Sequence, residues 1–157
     1  MEFSQETKEK FTKILEKYPV TEAALLPTLH LAQKEFGYLS TESMDYVAQL
    51  LGLPPVRVYG VASFYTMFNR KPVGKYHIQV CTNLSCSLMG AEEMVKHLEN
   101  RLHIKMGQTS ADGKFTLSSV ECLGSCGTAP MMQINDLYYE NLTSERIDQI
   151  VAQLEAN

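Results

Sequence analysis

At 157 residues, with 45% apolar and 20% charged side chains, the chain has the composition of an ordinary globular protein, long enough for one good core or a small domain with a helical appendage. A net charge of −4 with no basic stripe argues against nucleic acid as a partner, and no apolar run is long enough to span a membrane. The polar start MEFSQETKEK has no apolar signal-peptide core, so the expected compartment is a reducing cytoplasm, where cysteines serve metal or redox chemistry rather than structural disulfides.

The first half reads as helices only. Ser4 is placed to cap a first helix carrying Phe11, Ile14, Leu15 and Tyr18 at three- and four-residue steps, with Pro19 beyond its end. Thr21 is placed to cap a second helix through Leu25, Leu29, Ala32 and Phe36, closed by Gly37. Pro27 inside that pattern either kinks it or marks its true first turn. A third helix starts near Ser40–Thr41, lines up Met44, Val47, Ala48 and Leu51, and stops at Gly52. Pro54 or Pro55 then opens a short fourth helix carrying Val58, Val61, Ala62 and Phe64.

Asn69 to Gly74 is loop chemistry, and beyond it the period changes. Tyr76–Val80 alternates as a strand and runs into Cys81; Leu88–Leu102 reads as one helix; Asp112-Gly113 turns into a strand over 115–121. Residues 131–134 and 137–140 form a hairpin about Asn135-Asp136, and Thr143 caps a last helix through Ile147, Ile150, Val151 and Leu154. The expected fold is therefore α+β. A helical bundle over 1–72 precedes a β-α-β-β-β-α domain over 73–157, which also holds the excess of acidic residues.

The four cysteines fall as two close pairs, Cys81 with Cys86 and Cys122 with Cys126, each just after a predicted strand. Four thiolates from two loops suit one metal centre, either a [2Fe–2S] cluster or a Cys₄ zinc. Neither pair is the C-x-x-C of a redox dithiol. The loop residues are small or apolar and uncharged, and Gly124 and Gly127 let backbone N–H groups approach sulfur, which a cluster needs more than zinc does. A helix beginning near Ser87–Leu88 would offer its free N–H groups to the first pair. A strand running into a ligand pair and then a helix is the thioredoxin-like arrangement, and Ala129-Pro130 stands where such folds place a cis-proline. His30, His77, His97 and His103 are scattered and read as ordinary helix and strand residues, and Glu92 and Glu93 as favourable charges on a helix start. Phe64, Tyr65, Met67 and Phe68 suit either a docking surface or a core contact.

The run CTNLSC at 81–86, followed by ECLGSCGTAP at 121–130, resembles the thioredoxin-like [2Fe–2S] ferredoxin subunit of respiratory NADH dehydrogenase, complex I. The runs LLPTLHLAQKEFGY, GVASFYTMF and KPVGKYHIQVCTN extend the resemblance over nearly the whole chain. It implies one [2Fe–2S] cluster on Cys81, Cys86, Cys122 and Cys126, and an electron carrier with no substrate site of its own. FMN and NADH are expected on a partner subunit, since the chain has neither G-x-G-x-x-G nor a P-loop. Further complex I subunits would be its other neighbours, with no nucleic acid and no direct membrane insertion. The expected place is cytoplasmic, peripheral on the inner face of the membrane through the complex. An equivalent subunit of an NAD-linked hydrogenase or formate dehydrogenase is the alternative, and a zinc-stapled adaptor the remote one. An all-cysteine centre beside acidic residues should have a low potential, on the order of −200 to −450 mV.

Overall fold

A computed structural model describes residues 1–156, and the chain divides into two compact units, Met1–Pro72 and Val73–Asn157. The first is helical. Helix α1 (Gln5–Leu15) starts where Ser4 accepts a hydrogen bond from the Thr7 N–H, and α3 (Thr41–Leu51) starts on Ser40 in the same way and ends at Gly52 in the left-handed region. Such caps each contribute about 0.5–2 kcal/mol. The second predicted helix is divided. A 3₁₀ turn (Thr21–Ala24) precedes α2 (Leu25–Phe36), so Thr21 lies inside that turn rather than capping a long helix. Pro27, without an N–H to give, sits in the first turn of α2, where no intrahelical donor is required. Pro54 and Pro55 open α4 (Pro55–Phe64).

The core of this unit is built from Leu25, Leu29 and Ala32 of α2, Val47, Ala48 and Leu51 of α3, and Val58 and Ala62 of α4. Gln33 ties down the stretch after α4, donating to the Met67 carbonyl at 3.0 Å and accepting from the Asn69 N–H at 2.6 Å. Of the aromatic group after Val61, only Phe68 is buried; Phe64 is 77% exposed.

The second unit is a four-stranded sheet in the order β2-β1-β3-β4. Strand β1 (Tyr76–Cys81) pairs in parallel with β2 (Phe115–Val120) and antiparallel with β3 (Met132–Ile134), which pairs antiparallel with β4 (Leu137–Tyr139). Alternate residues Ile78 and Val80, Phe115 and Leu117, and Met132 and Ile134 enter one apolar cluster with Leu98 of α6 (Ala91–Leu102) and Ile147 and Val151 of α7 (Ser144–Glu155). Each fully buried aliphatic of this kind contributes about 1.5–3 kcal/mol. Gly74 brings the chain to β1 so close to the Gly113–Lys114 backbone that a Cβ would stand 2.9 Å from it. The helix predicted over Leu88–Leu102 is α6, which starts only at Ala91, and an unpredicted one-turn helix α5 (Leu84–Leu88) precedes it, parted from it at Gly90 with φ of 92°. One turn of helix carries no period to read, which is why the apolar pattern starts only at its end.

Candidate metal centre

Parallel pairing decides where the cysteines go. Cys81 is the last residue of β1 and stands opposite Val120, the last of β2, so both chains leave the sheet at the same end. The Thr82 N–H continues the ladder onto the Val120 carbonyl at 3.1 Å, and the Cys81 N–H donates to Met131 at 3.3 Å. Cys122 follows β2 after one residue. Two loops 36 positions apart in the chain thus open side by side, at the strand C-termini where open α/β sheets place their sites.

The first pair sits on regular structure. Asn83 caps α5, its side chain accepting from the Leu84 N–H at 2.7 Å, and Cys86 falls within that helix. Because α5 begins at Leu84, the Ser87 N–H is already bonded to the Asn83 carbonyl and is not available to sulfur as expected from sequence. Cys81 and Cys86 are 3% and 1% exposed, in a small apolar cluster with Ala91, Ala129 and Met131, against which Leu123 packs. Burial, the hydrogen bond shared with Cys81 and the neighbouring sulfurs push the Cys86 thiol up to about 11, against a Met131 N–H that favours the thiolate. For Cys81 burial acts in the same direction, but N–H groups of Asn83 and Leu123 and the thiol of Cys86 outweigh it and lower the pKa. On the outward side of α5, Leu84, Leu88 and Met89 are largely exposed.

The second pair sits on irregular chain. Cys122 and Cys126 are both exposed. Gly124, at φ of 74°, turns its N–H back onto the Cys122 sulfur at 3.3 Å, a conformation that costs other L-residues roughly 1–2 kcal/mol. A three-residue 3₁₀ turn (Cys126–Thr128) follows, and the Ala129-Pro130 bond is cis. What holds this loop comes from the segment at β4. The Tyr138 hydroxyl donates to the Leu123 carbonyl at 2.9 Å, and Glu140 accepts from the hydroxyls of Ser125 and Thr128, which together hold its carboxyl below the usual range.

These residues fit a [2Fe–2S] cluster. Such a cluster asks for two thiolates at each iron and for N–H donors around the sulfurs. The chain offers thiols in pairs, with the Gly124 N–H donating to the Cys122 sulfur and N–H groups of Asn83, Leu123 and Met131 favouring the thiolates of the buried pair. Among the described residues no group of three or more His, Cys, Asp or Glu, the four cysteines included, is gathered tightly enough to hold a metal ion. The histidines take no part in either loop. His77 bonds Ser118 at 2.7 Å and is held below the usual imidazole range by burial; His97 pairs with Asp148 at 2.9 Å; the His30 ring packs near Phe68. Glu92 and Glu93 fall in the first turn of α6. The sequence reading missed Asn83 as a cap, although an Asx before a helical turn is the signal for one. Tyr138, Glu140 and Met131 gave no sign of their role, since nothing local ties them to the loops.

Comparison with known proteins agrees. The family described as thioredoxin-like [2Fe–2S] ferredoxin matches residues 11–155. The chain is 49% identical to an NADH-quinone oxidoreductase subunit of Rickettsia conorii, over 91% of this chain and 87% of that one. It is 46% identical to an NADH-quinone oxidoreductase subunit of Rhizobium meliloti, over 89% and 83% respectively. Among solved structures it resembles the air-oxidized NAD+-reducing [NiFe]-hydrogenase, with a TM-score of 0.74 and 27% identity over 84% of this chain, spanning 23% of the hydrogenase chain. The chain belongs to the thioredoxin-like [2Fe–2S] ferredoxin family.

Proposed function

We propose that Cys81 and Cys86 bind one iron, and Cys122 and Cys126 the other, of the single [2Fe–2S] cluster that members of this family carry. The observation that carries the assignment is the convergence of both loops at one end of two parallel strands, Cys81 ending β1 opposite Val120, the last residue of β2. When bound, the cluster accepts and releases single electrons. The chain's own part is to hold four sulfurs, satisfy them with N–H donors, and keep water from the Cys81–Cys86 side.

The chain is an electron-transfer subunit of a multi-subunit NADH:quinone oxidoreductase, a reading supported by relatives at nearly half identity over most of their length. Family membership decides for the cluster over the zinc staple. The hydrogenase alternative draws on a lower identity over a quarter of a much longer chain, and supports it less. The neighbour in our proposal is a subunit that binds flavin and NADH. Exposed Leu84, Leu88 and Met89, beside Cys86, support a surface that such a neighbour covers. No helix among the described residues is long and apolar enough to cross a membrane, and we place the chain peripherally, on the inner face, through the complex. We also propose that 1–72 and 73–157 are separate domains, helical and cluster-binding. A chain begun at Val73 should then fold and take up iron, and its failure beside a competent full chain would make the two units one folding domain.

The ligand assignment is tested by replacing each cysteine with serine in the full chain, then measuring iron, acid-labile sulfide and the visible spectrum. Every replacement should leave a bleached or unstable protein. A Cys122→Ser chain with an unaltered spectrum at full intensity would refute the assignment.

A further inference from the structure

We propose that Glu140 is the positioning residue of the second cysteine loop, closing it around Cys126 through Ser125 and Thr128. The proposal rests on the reading of Cys122 and Cys126 as cluster ligands. One carboxylate oxygen, Oε1, accepts from both hydroxyls, with Thr128 Oγ1 at 2.5 Å. The two hydroxyl oxygens are themselves 2.7 Å apart, and the Thr128 N–H donates to the Ser125 carbonyl at 3.2 Å. Cys126 lies between these residues, so a single acceptor fixes the backbone on both sides of it.

The other ties of the loop lie to either side of Cys126: Tyr138 holds Leu123, which packs on the apolar cluster, and the Asn141 and Leu142 N–H groups hold Thr128 and Pro130. Cys122 and Cys126 are exposed and lie outside the apolar clusters, and the 3₁₀ turn is three residues long. Glu140, by contrast, stands on a firm base. It follows β4 directly, the next two N–H groups donate to Thr128 at 2.8 Å and to Pro130 at 2.9 Å, and Leu142 is buried. Electrostatics would not choose this residue. A carboxylate near an anionic cluster opposes the cluster's charge, and opposes it more once an electron has been added. Its presence is explained by geometry, since a single oxygen held between the two hydroxyls accepts from both.

The test uses the full chain reconstituted with ferrous iron and sulfide, following loss of visible absorbance under a chelator and the electron paramagnetic resonance signal of the reduced form. Glu140→Ala should shorten cluster lifetime on the order of tenfold, because two charge-assisted hydrogen bonds are lost at once, and should broaden the signal. Glu140→Gln, which keeps an oxygen acceptor, should recover most of the lifetime and the native signal. Ser125→Ala with Thr128→Val should reproduce Glu140→Ala, and supplies the same reading if that variant does not fold. Glu99 is the control: it also accepts two hydrogen bonds, from Lys105 and Met106, and belongs to neither loop. Glu140→Ala holding the cluster as long as wild type, Glu99→Ala shedding it as fast, or Glu140→Gln failing alongside Glu140→Ala would each overturn the proposal. A wild-type chain unable to take up the cluster would overturn the ligand assignment, and this proposal with it.

Discussion

The two cysteine loops solve one problem by different means. Cys81 and Cys86 are held by a strand end and a capped helical turn, buried among Ala91, Ala129 and Met131. Cys122 and Cys126 are exposed and held by side-chain hydrogen bonds from the segment at β4. Backbone ladders and burial form with the fold and do not depend on the metal, whereas a loop held by a few side chains can open and close locally. If the proposed ligand assignment holds, the first pair would serve as a preformed seat and the second as a flap on the exposed side that completes the site.

The largest effect that would break this comparison is an equal response of the two pairs to serine. All four replacements should lose the cluster, but the metal-free proteins should differ. Cys86→Ser puts a hydroxyl into an apolar site and should destabilise the apo fold by about 1–3 kcal/mol, while Cys126→Ser at the surface should fall within about 0.5 kcal/mol of wild type. Urea unfolding of the apo chains separates them; equal midpoints would mean that both loops are equally loose without metal.

Thiol reactivity gives the next largest contrast. In the apo chain at pH 8, Cys122 and Cys126 should be alkylated well ahead of Cys81 and Cys86, because they are exposed. Cys86 should be the slowest, since burial and its sulfur neighbours push its thiol up to about 11, and the thiolate is the reactive form. Its rate should therefore rise with pH through that value. Mass-spectrometric mapping of early alkylation products would show this order, and early labelling of Cys86 at pH 8 would contradict a preformed seat.

The same contrast explains what the sequence disclosed. The proposed ligand set rests on four cysteines in two pairs, each after an alternating strand, and Ser4, Ser40, Gly52 and Thr143 marked element ends where the structure has them. Strand order was less accessible: that β1 lies between β2 and β3 depends on long-range pairing, which no local period records. The start of α5 was missed because a helix of one turn has no repeat, although Asn83 announced it. The fastening of the second loop was beyond reach, since Glu140 is 14 residues from Cys126 and only the turn of the chain through β3 and β4 brings it back.

A smaller effect tests the seat alone. Asn83→Ala removes the cap of α5 and should lower apo stability by about 0.5–2 kcal/mol, since its side chain satisfies the Leu84 N–H. Once the cluster is bound the difference should narrow, because Cys81 and Cys86 are then tied to the same iron across the cap. A cap loss felt equally with and without the cluster would show that the ligands do not brace α5.

The smallest effect concerns the electron itself. Reduction adds one negative charge to a site whose loops contain no Lys or Arg and whose second loop is fastened by a carboxylate. Glu140→Gln removes one fixed negative charge and keeps the acceptor oxygen, so the reduced form gains relative to the oxidised one and the midpoint should rise. Solvent around the exposed cysteines screens the interaction, so the rise should stay below a tenfold change in the reduction equilibrium, about 59 mV for one electron. The N–H groups of Asn83, Leu123, Met131 and Gly124 that favour the thiolates act in the opposite sense to the carboxylate and are untouched by this change. A lowered midpoint would mean that losing the carboxylate had moved those donors away from the sulfurs, and that the flap sets the potential through its geometry more than through its charge.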